Sequence, residues 1–261
     1  MTTPYRRRIV ISFVVIILAA VSGLYFDRYR KVPIERAMNP AYWVRHFRGL
    51  DRYDVRQALL EHGDPSVPEV AITIDDGPDP RYGPAIAKYL HDANVPATFF
   101  LVGIRVNQYP QVAKVISDDG FEIGNHTYDH QRLVDLKPHE IANELRLCEK
   151  HIKDVTGRDT DLMRPPGVQY NDKVTYVAKS LGYVTVSWTC GARDYDNQPA
   201  PYIAQRIIDR TEPGSIILLH QDHSSTVGAL PIIVNALRAR GYRFVTISQM
   251  LQRLHASFPR R

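Results

Sequence analysis

Val70-Ala71-Ile72-Thr73-Ile74 runs directly into Asp75-Asp76-Gly77-Pro78-Asp79. A short apolar run bounded by turn residues reads as a buried strand. The same unit, an apolar run closed by a polar cluster, recurs along the chain. Candidate strands are Val70 to Ile74, Ala97 to Val102, Glu122 to Gly124, Tyr183 to Ser187, Ser215 to Leu219 and Arg243 to Thr246. Candidate helices run near Pro84 to Ala93, Pro110 to Asp119, Pro138 to Thr156, Asp172 to Leu181, Ala200 to Thr211 and Gly228 to Ala239. Strands alternating with helices imply an α/β fold with a parallel sheet, open or closed into a barrel. Its site belongs at the carboxyl ends of the strands. The polar clusters fall there: Asp75 and Asp76 follow one run, His126 another, Trp188 a third and His220 a fourth.

At 261 residues the chain has room for one sizeable domain and a short appendage. Hydrophobic residues at 44% and charged residues at 23% suit a globular protein with a buried interior. The formal net charge of +5 is unevenly spread. Residues 1 to 56 carry a net of +7 and the remainder a net of −2, so the main domain lacks the basic footprint that nucleic-acid binding requires. Two cysteines, Cys148 and Cys190, are too few for a disulfide scaffold. They fit either one bridge in an oxidising compartment or two separate thiols.

Arg6, Arg7 and Arg8 precede an apolar stretch from Ile9 to Phe26, broken only by Ser12, Ser22 and Gly23. That length is near the lower limit for spanning a bilayer. The positive flank should stay cytoplasmic and send the remainder across. The expected organisation is a basic tail over 1–8, a transmembrane anchor over 9–26, a juxtamembrane stalk over 27–66 with a short helix around Val55 to His62, a main domain over 67–254 and a basic tail over 255–261. A cleavable signal peptide is the competing reading, with Ala20 and Ser22 as the small residues before cleavage. The expected location is therefore the cytoplasmic membrane, single-pass, with the domain extracytoplasmic; cleavage would make the protein secreted instead.

Several residues carry chemistry. Asp75 and Asp76 are adjacent carboxylates at a strand end, which on an extended chain point opposite ways and can take different jobs. His126-Thr127-Tyr128-Asp129-His130 sets two imidazoles four apart, on one face if the segment is helical. Two such imidazoles and one carboxylate can share a metal, leaving a position open for water as catalytic zinc sites do. Arg164-Pro165-Pro166-Gly167 is a stiff turn offering a permanent cation and backbone N–H groups from Gly167 onward. His220 ends an apolar strand with a group suited to general acid work. Each signal is weak alone; their order along one chain is what gives them weight.

In that order they resemble the five signature motifs of the NodB-like polysaccharide deacetylases, the family four carbohydrate esterases, over roughly Val67 to Leu254. The resemblance implies a distorted β/α barrel with fewer strands than the eightfold one. It implies Asp75 as general base, and Asp76, His126 and His130 as ligands of a divalent metal ion, zinc or a similar one. It further implies Arg164 as the residue orienting the base, with Asp194 as partner of its guanidinium, and an oxyanion donor near Gly167. Trp188 resembles a groove wall, Leu218 the pocket for the acetyl methyl and His220 the general acid. The implied substrate is an acetylated polysaccharide such as peptidoglycan or an N-acetylglucosamine polymer.

The chain departs from the pattern at two positions: Gly191 stands where many members have an acidic residue, and Tyr195 replaces a frequent Trp. Without that acid, His220 should hold its proton less tightly unless Asp194, Asp196 or Asp222 substitutes. A non-haem iron oxygenase also uses two His and one carboxylate, but gives the second Asp, the RPPG turn and His220 no role. The same residues would also suit an O-acetyl xylan esterase of that family, or a catalytically silent glycan-binding module.

Overall fold

The computed structural model describes residues 53–54, 58–196 and 198–257. The expected tail over 1–8, the anchor over 9–26 and the stalk as far as residue 52 lie outside the described residues. Among those described, no helix is long and apolar enough to cross a membrane.

Among the described residues β1 (Tyr53–Asp54) and β2 (Leu59–Leu60) come first and pair antiparallel. β3 (Glu69–Gly77), α1 (Gly83–Asp92), β4 (Ala97–Leu101), α2 (Gly103–Gln108), α3 (Pro110–Asp118), β5 (Glu122–Asn125) and α4 (Pro138–Thr156) follow. Then come β6 (Leu162–Met163), α5 (Asp172–Ser180), β7 (Val184–Val186), β8 (Cys190–Gly191), α6 (Ala200–Arg210), β9 (Ile216–His220), α7 (Ser224–Ala239), β10 (Arg243–Phe244) and α8 (Ile247–Ser257). Proline opens several helices because its missing N–H is unneeded there, and Gly157, left-handed at φ 72°, ends α4.

The strands lie in the order β1-β2-β7-β6-β5-β4-β3-β9-β8, with β10 beside the start of β3. Among the described residues every pairing but β1–β2 is parallel. The result is a curled parallel half-barrel wrapped by helices, the coarse form of the expected distorted barrel. Period-two alternation divides the central strands between the two faces of the sheet. Val70, Ile72, Ile74, Phe99 and Leu101 pack outward in the cluster that holds apolar residues of α1, α3, α6 and α7. Ala71, Phe100, Leu162, Val186 and Ile216 face the other cluster, with Met250, Leu251 and Leu254 of α8. Thr73 and Asp75 continue the Ala71 row, which is why a carboxylate stands in the interior of the sheet at its carboxyl end.

Two expectations change. The helix around Val55 to His62 is instead strand at Leu59–Leu60, and both leucines are buried against the sheet. The edge of β7 decides it: Thr185 N–H donates to Ala58 O and Ser187 N–H to Leu60 O, both near 2.8 Å. The sheet therefore begins before residue 67. Helices α2 and α8 and the short strands β6 and β8 are absent from the sequence expectations; the first N–H groups of α8, Ile247 and Ser248, donate to the Glu122 carboxylate at 2.9 and 3.1 Å, a favourable charge for a helix start. Cys148 and Cys190 are both free and buried, beside the Leu101 and Ile207 carbonyls respectively.

Gly103 marks a close crossing, since a Cβ there would stand 2.8 Å from the Cα of Cys148. Backbone cannot yield as a flexible side chain can, so Gly103→Ala is expected to cost about 1–3 kcal/mol by overpacking. The urea midpoint of the variant against the parent measures this.

Candidate active site

The two carboxylates reach one cleft by a backbone device that alternation alone does not provide. Asp75 is in register with His220 on β9 and is buried. Asp76 adopts a left-handed conformation at φ 64°, where the β3–β4 register slips between Ile74 and Gly77. That turn brings the second carboxylate to the same cleft as the first, not to the opposite face of an extended strand.

His126 and His130 also meet without a helix, so the condition under which their spacing of four would share a helix face is not the one that brings them together. The segment leaves β5 through residues with Thr127 at φ 67° and His130 at φ 66°, and the ring centroids stand 5.0 Å apart. Asp76 Oδ1 lies 3.2 Å from His126 Nε2 and 3.0 Å from His130 Nε2. Asp75 Oδ2 is farther, 3.8 Å from His126 Nε2. Thus Asp76, not Asp75, completes the trio whose ligand atoms lie within 4.8 Å of one another.

This trio fits a metal ion on its own chemistry. His126 Nδ1 stands 2.7 Å from the Arg164 carbonyl, which can only accept, so Nδ1 carries a proton. In the neutral imidazole, Nε2 then presents a lone pair toward Asp76 Oδ1, itself buried with no hydrogen-bond partner. Lone pairs converging in this way call for a cation between them. A tetrahedral ion with ligands at about 2.0–2.2 Å sets its ligand atoms roughly 3.4 Å apart, close to the spacing here. With no ion between them, the same groups supply the opposite charges themselves. Burial would raise the Asp76 carboxyl, but His126 and His130 hold it far below the ordinary range. Burial disfavours a charged His126, yet Asp75 and Asp76 outweigh it and raise that imidazole.

Arg164 is fully buried behind the cleft. Its Nη1 donates to Asp75 Oδ1 and Thr73 Oγ1, each at 2.7 Å, while Nη2 and Nε donate to the Ser187 and Val186 carbonyls. Its partner is therefore Asp75 and not Asp194, which corrects the expected pairing. Asp194 is buried beside β9, where Oδ1 accepts from His220 Nδ1 at 2.7 Å and Oδ2 accepts from His220 N–H and Thr226 Oγ1. Burial works against a charged His220, but Asp194, then Asp75 and Asp76, lift it to about 9. So Asp194 supplies the carboxylate that Gly191 does not. Position 191 has little room for one, because a Cβ there would come within 3.1 Å of the Trp188 ring.

Asp75, Asp76, His126, His130, Gly167, Trp188, Leu218 and His220 line one cleft of about 310 Å³, joined by Tyr195, Arg193 and His223. A more open cleft of about 400 Å³ adjoins it at His223, but that imidazole is its sole titratable lining group, so the chemistry belongs to the first. Gly167, at φ 61°, offers a backbone N–H with no partner among the described residues. His223 and Arg193 were missed by the sequence reading; both lie on loops without periodic signal.

Comparison with known proteins agrees with this geometry. The polysaccharide deacetylase family profile matches residues 62–186. A peptidoglycan-N-acetylglucosamine deacetylase of Bacillus cereus is 38% identical over 195 residues, covering 71% of this chain and 89% of the relative. The crystal structure of a peptidoglycan N-acetylglucosamine deacetylase superposes with a TM-score of 0.73 at 31% identity, over 81% of this chain and 96% of that one. A family four pseudoenzyme from Bacillus anthracis superposes at 0.72 with 30% identity, over 74% of this chain and 68% of that one. Sequence identity, a shared curled sheet and the gathered carboxylates and imidazoles together make this chain a member of the polysaccharide deacetylase family, the NodB-like hydrolases also called family four carbohydrate esterases.

Proposed function

We propose that the chain is a metal-dependent N-deacetylase acting on an N-acetylated polysaccharide outside the cytoplasmic membrane, peptidoglycan or a polymer of N-acetylglucosamine. The observation that carries this reading is one cleft holding three convergent ligand atoms, a carboxylate locked by a buried arginine, and an imidazole locked by a buried carboxylate. The names of the Bacillus cereus relative and of the superposed deacetylase support the amide of N-acetylglucosamine as the target. A silent glycan-binding role is disfavoured, because every side chain the reaction needs is present and gathered.

A divalent ion held by Asp76, His126 and His130, zinc or a similar one, would supply a Lewis acid that polarises the acetamide carbonyl and acidifies a bound water. Asp75 is fixed through Oδ1 by Arg164, which leaves Oδ2, beside the ligand trio, to take the proton from the attacking water. The Gly167 N–H donates to the oxygen that becomes negative as the carbonyl carbon turns tetrahedral. Leu218, on the cleft wall, offers an apolar surface to the acetyl methyl. His220, its Nδ1 held by Asp194, protonates the departing amine from Nε2. Asp75 takes one proton of the water, whose oxygen and second proton pass to acetic acid; the proton on the amine is the one His220 gives, and the proton held by Asp75 returns to His220 as the acid leaves and ionises to acetate.

The apolar run over 9–26 behind Arg6, Arg7 and Arg8 supports a single-pass anchor that leaves the domain outside, where such polymers are found.

Incubation with chitooligosaccharides and peptidoglycan should release acetate, and exhaustive chelation should abolish that release. Readdition of a divalent ion should restore it. Asp75→Asn should lower kcat by about 10²–10⁴-fold while keeping bound metal, whereas Asp76→Asn should lose the metal. Acetate release untouched by chelation would refute the metal reading; cleavage of O-acetyl xylan alone would make the chain an esterase.

The pH profile tests the acid. His220 must be protonated to act, so the rate falls as pH rises through its pKa. Asp194 is the largest contribution that raises this pKa. Asp194→Asn should therefore move the alkaline limb to lower pH, toward the ordinary imidazole value of about 6.5, at matched metal occupancy. An unmoved limb would assign it to another group.

Topology has its own assay. Protease added to cells with any outer wall or membrane opened should digest the domain while the cytoplasmic membrane is intact. Protection until that membrane is lysed would reverse the orientation.

A further inference from the structure

The short helix α2 and the residue before it hold both ligand-bearing segments from behind. Val102 N–H donates to Gly77 O at 2.7 Å, Gly103 N–H to Thr127 O at 2.9 Å and Ile104 N–H to Tyr128 O at 2.7 Å. The fourth residue in the row, Arg105, extends the pattern with its side chain. One guanidinium nitrogen donates to the carbonyl of Asp76, and the other lies 3.5 Å from Asp222 Oδ2. Asp222 stands two residues beyond His220, so one cation touches both the ligand turn and the loop that carries the acid. The Asp222 carboxylate is mostly buried and also faces His223 Nε2 at 3.3 Å.

Asp76 needs such a hold. It is a non-glycine residue at φ 64°, a conformation that persists only where the surroundings over-determine it. Its side chain, as ligand, must point at two imidazoles while its carbonyl points away from them. Arg105 does not line the catalytic cleft, so it reaches neither substrate nor the proposed ion.

We propose that Arg105 is a positioning residue for the metal centre: by holding the Asp76 carbonyl and Asp222 together, its guanidinium fixes the left-handed turn that aims the Asp76 carboxylate at His126 and His130. The inference rests on the metal-site reading above. A guanidinium fork serves two acceptors at once, which a lysine ammonium does less well. The sign of the effect separates positioning from simple electrostatics. Deleting a positive charge near a divalent cation should tighten metal binding if charge alone mattered, whereas losing the hold on Asp76 should weaken it.

The test uses the full chain in detergent, wild type against Arg105→Met, Arg105→Lys and Asp222→Asn. Zinc affinity is measured by competition with a chromogenic chelator, and the visible spectrum of the cobalt-substituted protein reports ligand geometry. Arg105→Met should bind zinc about 10–100-fold more weakly, the usual effect of losing an outer-shell partner, with an altered cobalt spectrum. Arg105→Lys should recover part of the affinity, and Asp222→Asn should show a smaller loss. Zinc affinity unchanged or tightened in Arg105→Met, with native circular dichroism, overturns the proposal. So does a fall in apo thermal midpoint alone, which is what a merely structural role predicts. Should Arg105→Met fail to fold, zinc affinity equal to wild type in both Arg105→Lys and Asp222→Asn overturns it equally. A wild-type chain that takes up no divalent ion would instead refute the metal-site reading itself, and the proposal with it.

Discussion

A permanent cation lies enclosed in the interior of the curled sheet, and the site is arranged around it. The Arg164 guanidinium donates to Asp75, to Thr73 and to two carbonyls at the end of β7, and its carbon sits 4.3 Å over the centre of the Phe100 ring. It thus ties β3 to β7 across the curl. A buried charge is tolerated only when paired and fully hydrogen-bonded, and removing one partner of such a pair costs roughly 3–5 kcal/mol. The same bond that spares the guanidinium an unpaired burial orients Asp75. Fold stability and reactive geometry are therefore one interaction here.

Around that pair the cleft divides its work by backbone conformation. Asp75 continues the strand, and its inward direction is set by the alternation that also places Ala71 and Thr73. Asp76, Thr127 and His130 are left-handed, and these three strained residues turn the ligand set into one space. Strain of this kind, about 1–3 kcal/mol at each residue, survives only where neighbours hold it. The row of donors from Val102 to Arg105 is one such neighbour.

The acid side shows substitution by geometry. Trp188 occupies the space that a side chain at position 191 would need, and Asp194 approaches His220 from the following loop instead. The imidazole gains a carboxylate by a different route and is raised to about 9 in spite of its burial. One of the superposed structures is a family four pseudoenzyme, so a shared curled sheet does not by itself imply turnover.

The order of the longer strands and of most helices was readable along the chain because each apolar run is short and closed by Gly, Pro or polar residues; Pro138 to Thr156 is a helix with those very bounds. The reactive residue types were readable too, since paired carboxylates, a spaced histidine pair and a strand-ending histidine mark chemistry by composition and order. Three things were decided only in three dimensions. Leu59 and Leu60 form strand because the β7 edge offers them partners, which local periodicity cannot report. The histidine pair converges through left-handed turns and not on a helix face, because backbone sign is not encoded in spacing. Asp194 serves His220 instead of Arg164 because distance in the fold, not position in a motif, determines which charge a carboxylate meets. Sequence alone determined which groups are available; the tertiary structure determined their pairing, since hydrogen bonds act over a few ångströms and residues 26 or 89 positions apart become neighbours only when the sheet curls.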